Sequence, residues 1–224
     1  MRDSVAGINY RFTDHKLLIG ALTHRSVGAN NNERLEFLGD SVLNLVISSR
    51  LYELHPDAPE GDLSRMRARL VRGVTLSKIA ASIELGRHLK LGEGEMKSGG
   101  FRRASILADA FEALIGAIFL DGGFAACREE ILRLFDPLIE ALPDIEELKD
   151  AKTRLQEWLQ ARGKPLPVYD HFREEGADHA KRFHVQCRIS GESRTVDAVG
   201  DSRRKAEQAA AGELLNLLQS NENA

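Results

Sequence analysis

The chain has 224 residues, 42% of them hydrophobic and 29% charged, enough to bury a core in one large domain or two modest ones. No run approaches the roughly 18–20 apolar residues that cross a bilayer, and the start, MRDSVAGINYRF, lacks the apolar stretch of a signal peptide. The net charge of −3 argues against a simple polyanion binder, and two distant cysteines, Cys127 and Cys187, argue for free thiols in a reducing, cytoplasmic setting.

From Phe12 to about Phe135 the apolar residues recur at three- and four-residue spacing. Leu17, Leu18, Ala21 and Leu22 form one such group; Leu35, Leu38, Val42, Leu45 and Val46 form the next. This spacing predicts helices. Glycine- and proline-rich breaks fall at 27–31, 56–61, 92–100 and 121–123. The helical domain is expected to end near Leu142, and the acidic, aperiodic stretch 143–150 reads as a linker. Beyond it, 153–161 is helical, with Leu155, Trp158 and Leu159 on one stripe. Three β-prone runs follow at 168–172, 181–189 and 193–200, the middle one alternating through Phe183, Val185 and Cys187. A last helix, 202–218, is expected to bury Ala206, Ala209, Ala210, Leu214 and Leu217. The order α-β-β-β-α predicts a small sandwich of one sheet and two helices.

Charge is unevenly spread along this plan. Residues 149–219 carry 13 Lys/Arg against 11 Asp/Glu, and the preceding 148 residues carry 18 against 22. An acidic front and a mildly basic back fit a metal site followed by an RNA-contacting module.

The chemistry is concentrated in five acids: Glu33, Glu36 and Asp40 in NERLEFLGDS, and Asp109 and Glu112 in ILADAFEALIGAIF. On a helix the first three fall within roughly 60° of one another, and Leu35, Leu38, Val42 and Leu45 are expected on the opposite side. Taken alone, that block reads more readily as a solvated acidic face than as a site. Phe37 stands nearer the acid side than the apolar side, which suggests that this face meets another surface, such as a second subunit. Asp109 and Glu112 are harder to explain away, because Leu107, Phe111, Leu114, Ile115, Ile118 and Phe119 surround them. Acids on a buried helix require either an arginine partner or a cation. Oxygen ligands without a cysteine or histidine set point to a hard divalent ion, and such centres suit phosphodiester hydrolysis. Arg65, Arg69 and Arg72, together with Lys97, Arg102 and Arg103, are candidates to guide an anionic substrate, or else plain charged surface. Gly39-Asp40-Ser41 resembles an esterase nucleophile block, but it sits in helical sequence and no Asp-x-x-His follows to complete a relay. His24 has no partner at ligand spacing and reads as structural.

These motifs resemble ribonuclease III. The likeness runs in order through ALTHRS, NERLEFLGDS, EGDLSRMRARLV, MKSGGFRR and SILADAFEALIGAIFLDGG, and the stretch from TRLQEWLQ to SRRKAEQAAA resembles a double-stranded-RNA-binding domain. The resemblance implies an all-α nuclease domain over 1–142, a linker at 143–150, a small α+β RNA-binding domain over 151–219 and a disordered tail at 220–224. It implies cleavage of double-stranded RNA with Mg²⁺, Mn²⁺ being able to substitute, leaving 5′-phosphates, 3′-hydroxyls and short 3′ overhangs. Ribosomal-RNA precursors, with some mRNAs and tRNAs, would be substrates; no organic cofactor and no membrane partner would be involved. By motif position Glu36, Asp40, Asp109 and Glu112 would bind metal, with Asp40 and Glu112 catalytic and Glu33 and Glu60 accessory. Phe37 would insert into the partner of a homodimer. Gln156 and His179 would enter minor grooves of the duplex, and Arg203, Arg204 and Lys205 would hold the phosphates between them. Ala177, where proline is common, and Glu207, where eukaryotic relatives often carry lysine, depart from the pattern and bear on affinity. The alternative, a catalytically silent double-stranded-RNA-binding protein, would have lost the acids that this chain keeps.

Overall fold

The computed structural model describes residues 5–144, 149–176, 181–191 and 194–222. Two compact units divide the chain, Met1–Leu142 and Pro143–Ala224.

The first unit is helical: α1 (His15–Ala21), α2 (Glu33–Leu54), α3 (Glu60–Leu70), α4 (Gly73–Ser82), α5 (Glu93–Lys97) and α6 (Ala104–Glu140). Short 3₁₀ turns occupy Leu85–His88 and Gly100–Arg102. Asp14 caps α1, its side chain accepting the Lys16 N–H at 2.8 Å. Glu33 and Glu36 lie in the first turn of α2, where the helix dipole favours acids.

Helix α6 is the axis of this unit. Ile106, Leu107, Ala110, Phe111, Leu114, Ile115 and Ile118 are buried beneath α2, α4 and α1. By length and composition α6 could cross a membrane. Here its apolar surface is instead the core of the helical unit, and Gly123, at φ 76°, breaks it into two arms. Next to that break Asp121 accepts the Tyr10 hydroxyl and the Thr13 and Asp14 amides, each at 2.8 Å, which fastens the N-terminal segment and α1 to α6.

The buried line of α2 differs from the expected one. It runs through Gly39, Val42, Leu43, Val46, Ile47 and Leu51, while Leu45 is 57% exposed. The helix meets α6 through a glycine, which carries no hydrophobic signal, so a pattern drawn from leucines is rotated away from the true contact. Glu36 therefore flanks the buried line and is half-buried, rather than pointing away from it.

The second unit consists of α7 (Ala151–Gln160), β1 (Pro167–Glu175), β2 (Arg182–Ile189), β3 (Thr195–Gly200) and α8 (Arg203–Glu222). The strands form an antiparallel sheet in the order β1-β2-β3, with Cys187 paired to Tyr169 on one side and Val196 on the other. Strand β1 passes the expected end at Phe172 because a bulge between His171 and Arg173 lets pairing continue to Glu175. The middle strand buries Val185, Cys187 and Ile189 in the expected alternation. Cys187 and Ile189 pack with Leu155 and Leu159 of α7 and with Ala210, Ala211, Leu214, Leu215 and Leu218 of α8. Ala209 and Leu217, expected inside, are exposed: the buried stripe of α8 is turned by one residue toward Ala211 and Leu218. The helix also continues to Glu222, through part of the expected disordered tail.

Candidate metal centre

The site is made by the crossing of α2 and α6. A methyl group on Gly39 would lie 1.8 Å from the carbonyl oxygen of Glu112, and one on Gly116 would lie 2.2 Å from that of Leu35. Two glycines therefore allow backbone-to-backbone contact at this point, closer than the usual 8–10 Å spacing between helix axes accommodates with larger residues. The acids immediately beside those glycines are carried together by the same contact.

Glu36, Asp109 and Glu112 each place one carboxylate oxygen within 4.8 Å of the others, and all three are half-buried. Burial pushes the Glu112 carboxyl up to about 8, reinforced by the charges of Asp40, Glu36 and Asp109. Burial also raises Glu36, with Asp109, Glu33 and Asp40 adding to the rise and Arg25 opposing it. Asp109 is raised by burial, against the pull of Arg25 and His24. Glu36 and Glu112 thus resist ionisation in a partly dry place crowded with carboxylates, which a divalent cation would relieve. The donor set suits such an ion: all three groups offer carboxylate oxygens, the hard donors that Mg²⁺ takes.

Asp40 belongs to the neighbourhood but not to this three-oxygen group. It is exposed, and Asn44, one turn on, donates to its Oδ1 at 2.8 Å and to its carbonyl at 2.9 Å. Its charge is nevertheless the foremost electrostatic influence on Glu112. Glu33 is exposed and stands 3.6 Å from Arg25. Glu60 opens α3, accepts the Ser64 hydroxyl at 2.6 Å and lies outside the three-oxygen group. Phe37 is 78% exposed beside a depression of about 740 Å³ that Leu17, Leu38 and Leu120 help to line.

The expected basic face on α3 is not assembled as drawn. The helix ends at Leu70, so Arg72 instead precedes α4, and Arg65 is held by Asp62 at 2.5 Å. Arg67, not singled out from sequence, bonds Ser48 of α2 at 2.9 Å. In the glycine loop, Arg103 pairs with Glu95 at 2.8 Å, Lys97 stands 3.6 Å from Glu93, and Arg102 lies over the Phe101 ring. His24 is buried, with Nδ1 against the Ser26 hydroxyl at 2.8 Å, and is fixed in the loop as expected of a structural histidine.

In the second unit Gln156 is exposed on α7, and Arg203, Arg204 and Lys205 are exposed in the first turn of α8. Arg203 pairs with Glu174 and Lys205 with Asp201, both at 2.7 Å. These exposed pairs are weak and leave both cations able to exchange partners. His179 and Ala177 lie outside the described residues. Glu207 accepts from Lys152 at 2.6 Å and from His171 at 2.9 Å; the Lys152 bond foremost holds its carboxyl below the usual range. Its charge is thereby matched locally.

Gly39, Gly116, Asn44 and Arg25 escape the sequence reading. The glycines alone leave a trace, a small residue in each of two acid-bearing helices.

Comparisons with known proteins agree with this layout. Residues 14–138 match the Ribonuclease-III-like family, and residues 151–218 match the double-stranded RNA binding motif. "Ribonuclease 3" of Hahella chejuensis is 54% identical over 211 residues, covering 94% of this chain and 93% of its own. "Ribonuclease 3" of Alkalilimnicola ehrlichii is 55% identical over 212 residues, covering 95% and 93%. A crystal structure of the ribonuclease III nuclease domain from Campylobacter jejuni superposes with a TM-score of 0.56 at 46% identity, covering 60% of this chain and 90% of that one. A second structure of that domain, 47% identical with a TM-score of 0.56 and covering 57% and 90%, is described as flexible in a region involved in dimer formation.

Proposed function

The chain belongs to the ribonuclease III family and is a double-strand-specific endoribonuclease, and on that premise we propose that it hydrolyses RNA duplexes with Mg²⁺ held at the α2–α6 crossing. Glu36, Asp40, Asp109 and Glu112 hold the metal, Mn²⁺ being able to replace Mg²⁺. Asp40 and Glu112 are the catalytic pair, and Glu33 and Glu60 act from the rim. The observation that carries this reading is the group of three half-buried carboxylate oxygens within 4.8 Å of one another.

A bound divalent ion would supply a nucleophilic hydroxide near neutral pH and offset charge on the phosphate. The protein's own part is to hold the carboxylates convergent at the glycine crossing and to strip them partly of water. Asn44 fixes one oxygen of Asp40 and so sets the direction in which that carboxylate faces. Products with 5′-phosphate and 3′-hydroxyl ends and short 3′ overhangs, and substrates among ribosomal-RNA precursors, mRNAs and tRNAs, complete the proposal.

The RNA-binding unit supplies recognition by shape. A-form duplexes hide their base edges, so Gln156 and His179 address minor grooves and Arg203, Arg204 and Lys205 the phosphates between. Phe37 makes the homodimer by entering its partner, for which its 78% exposure gives support. The Campylobacter nuclease domain, with its dimer-forming region, gives a precedent. Residues 143–150 link the two functions. Both thiols are free and buried, and burial pushes Cys127 up to about 12, which suits the reducing cytoplasm.

The test is incubation of a long RNA duplex with the full chain, with Mg²⁺ and with chelator. Cleavage only with metal, and its loss in Glu112→Gln while duplex binding persists, is expected. Cleavage without divalent metal, or full activity of Glu112→Gln, would overturn the proposal. Binding without cleavage in Mg²⁺ would favour a silent RNA-binding protein.

A further inference from the structure

The acids beside the α2–α6 crossing are not all held alike. Glu36, Asp109 and Glu112 are half-buried, whereas Asp40 is exposed. An exposed carboxylate on a helix is free to change rotamer in a way that half-buried ones are not. Asp40 is nevertheless restrained on one side. Asn44, half-buried one turn further along α2, donates from Nδ2 to Asp40 Oδ1 at 2.8 Å and to the Asp40 carbonyl at 2.9 Å. One amide group thus grips two acceptors of a single residue, and its bond to the carboxylate is of the stronger, charge-assisted kind. Ser41 gives the contrast on the same helix: its hydroxyl makes only the ordinary back-bond to the Phe37 carbonyl, at 3.2 Å.

Asp40 therefore has one oxygen engaged, while Oδ2 has no donor among the described residues. That difference matters to a cation. Mg²⁺ demands a tight octahedron of oxygens, whereas Ca²⁺ takes about six to eight in a looser shell and accepts both oxygens of one carboxylate. Glu36, Asp109 and Glu112 contribute one converging oxygen each. The further oxygens that suit Ca²⁺ are most readily found by turning the exposed acid, and presenting both oxygens of Asp40 means breaking the Asn44 bond.

Resting on the ribonuclease reading of this site, we propose that Asn44 is a positioning residue which, by holding Oδ1, limits Asp40 to a single oxygen facing the metal and so sets a preference for Mg²⁺ over Ca²⁺. It acts through Asp40 and needs no contact of its own with ion or RNA.

The experiment uses the full chain with Asn44→Leu, Asn44→Ala and Ser41→Ala. Asn44→Leu keeps the volume and loses the donor; Asn44→Ala serves if the leucine does not fit, and melting temperatures show which variant folds as wild type. Mn²⁺ binding without RNA is followed by the electron paramagnetic resonance of the free ion. Ca²⁺ and Mg²⁺ then displace Mn²⁺ in separate titrations, and the ratio of their affinities is read. Loss of the amide is expected to shift that ratio about 3- to 10-fold toward Ca²⁺, the scale of one hydrogen bond to a charged group near the surface. Single-turnover cleavage at saturating Mg²⁺ is expected to slow about 10-fold, with duplex affinity in chelator unchanged, as for a misplaced catalytic group. Ser41→Ala, which removes a back-bond that touches no acid, leaves the ratio at its wild-type value. An unchanged ratio in an Asn44 variant that melts as wild type overturns the proposal, even if cleavage slows, and so does Ser41→Ala reproducing the shift. Failure of the ribonuclease reading itself is seen separately, in wild-type protein that cuts without divalent metal.

Discussion

The Cα atom of Gly39 packs on the carbonyl oxygen of Glu112, so close that a methyl group would stand 1.8 Å from it. The contact joins the two acid-bearing helices at the level of the acids themselves. Gly39→Ala forces α2 from α6 and is expected to destabilise the nuclease unit by about 1–3 kcal/mol, as overpacking does. It should also abolish Mn²⁺ binding in protein that still folds. Thermal melting and metal titration check this; a Gly39→Ala variant with wild-type melting and metal affinity would refute the role of the crossing.

The raised carboxyl of Glu112 gives the metal-free protein a defined pH response. Its folded value, about 8, lies above the ordinary 4.5, so the folded chain keeps a proton there that the unfolded chain has released. Stability from this group is therefore full below the ordinary value and is lost as pH rises toward 8. In chelator, the melting temperature of wild type should fall between pH 5 and about 8 more steeply than that of Glu112→Gln. Mg²⁺ should remove most of the difference, and identical slopes in chelator would show that Glu112 is solvated.

Arg203, Arg204 and Lys205 are assigned to phosphates. Replacing all three with alanine should weaken duplex binding whatever the sequence, and should reduce the slope of log affinity against log salt by about 2–3. An unchanged slope would remove these residues from the interface.

Phe37 exposes 78% of its surface beside the depression lined by Leu17, Leu38 and Leu120. Phe37→Ala should raise the dimer dissociation constant at least about 10-fold, the scale of a buried aromatic anchor, measured by sedimentation. A stable dimer in the variant would place the interface elsewhere.

Much of this was legible in the sequence, for reasons that the structure makes plain. Asp109 and Glu112 announced themselves because they interrupt an apolar run, and that run is indeed the buried axis of the unit. The alternation through Val185 and Cys187 announced the middle strand because a central strand on a sheet packed on one face must alternate. Leu45 and Leu217 misled, since each carries the right chemistry at a position turned to solvent. Gly39 resembles part of an esterase block in the sequence, because a glycine's contribution is the volume it leaves empty, which no hydropathy pattern records. Asn44 and Arg25 were missed because their partners become neighbours only when side chains are placed. The basic face drawn through Arg72 failed because α3 stops at Leu70 and a new helix begins at Gly73.

On the proposed reading, the carboxylates at the α2–α6 crossing hold the ion that enables cleavage. Crystals of the full chain grown with Mn²⁺ and measured at the manganese absorption edge test it most directly. An anomalous peak bonded to oxygens of Glu36, Asp109 and Glu112 is expected, and it should disappear in a Glu112→Gln variant unable to cut duplex RNA. A peak held by other residues in protein that cleaves with Mn²⁺ would contradict it.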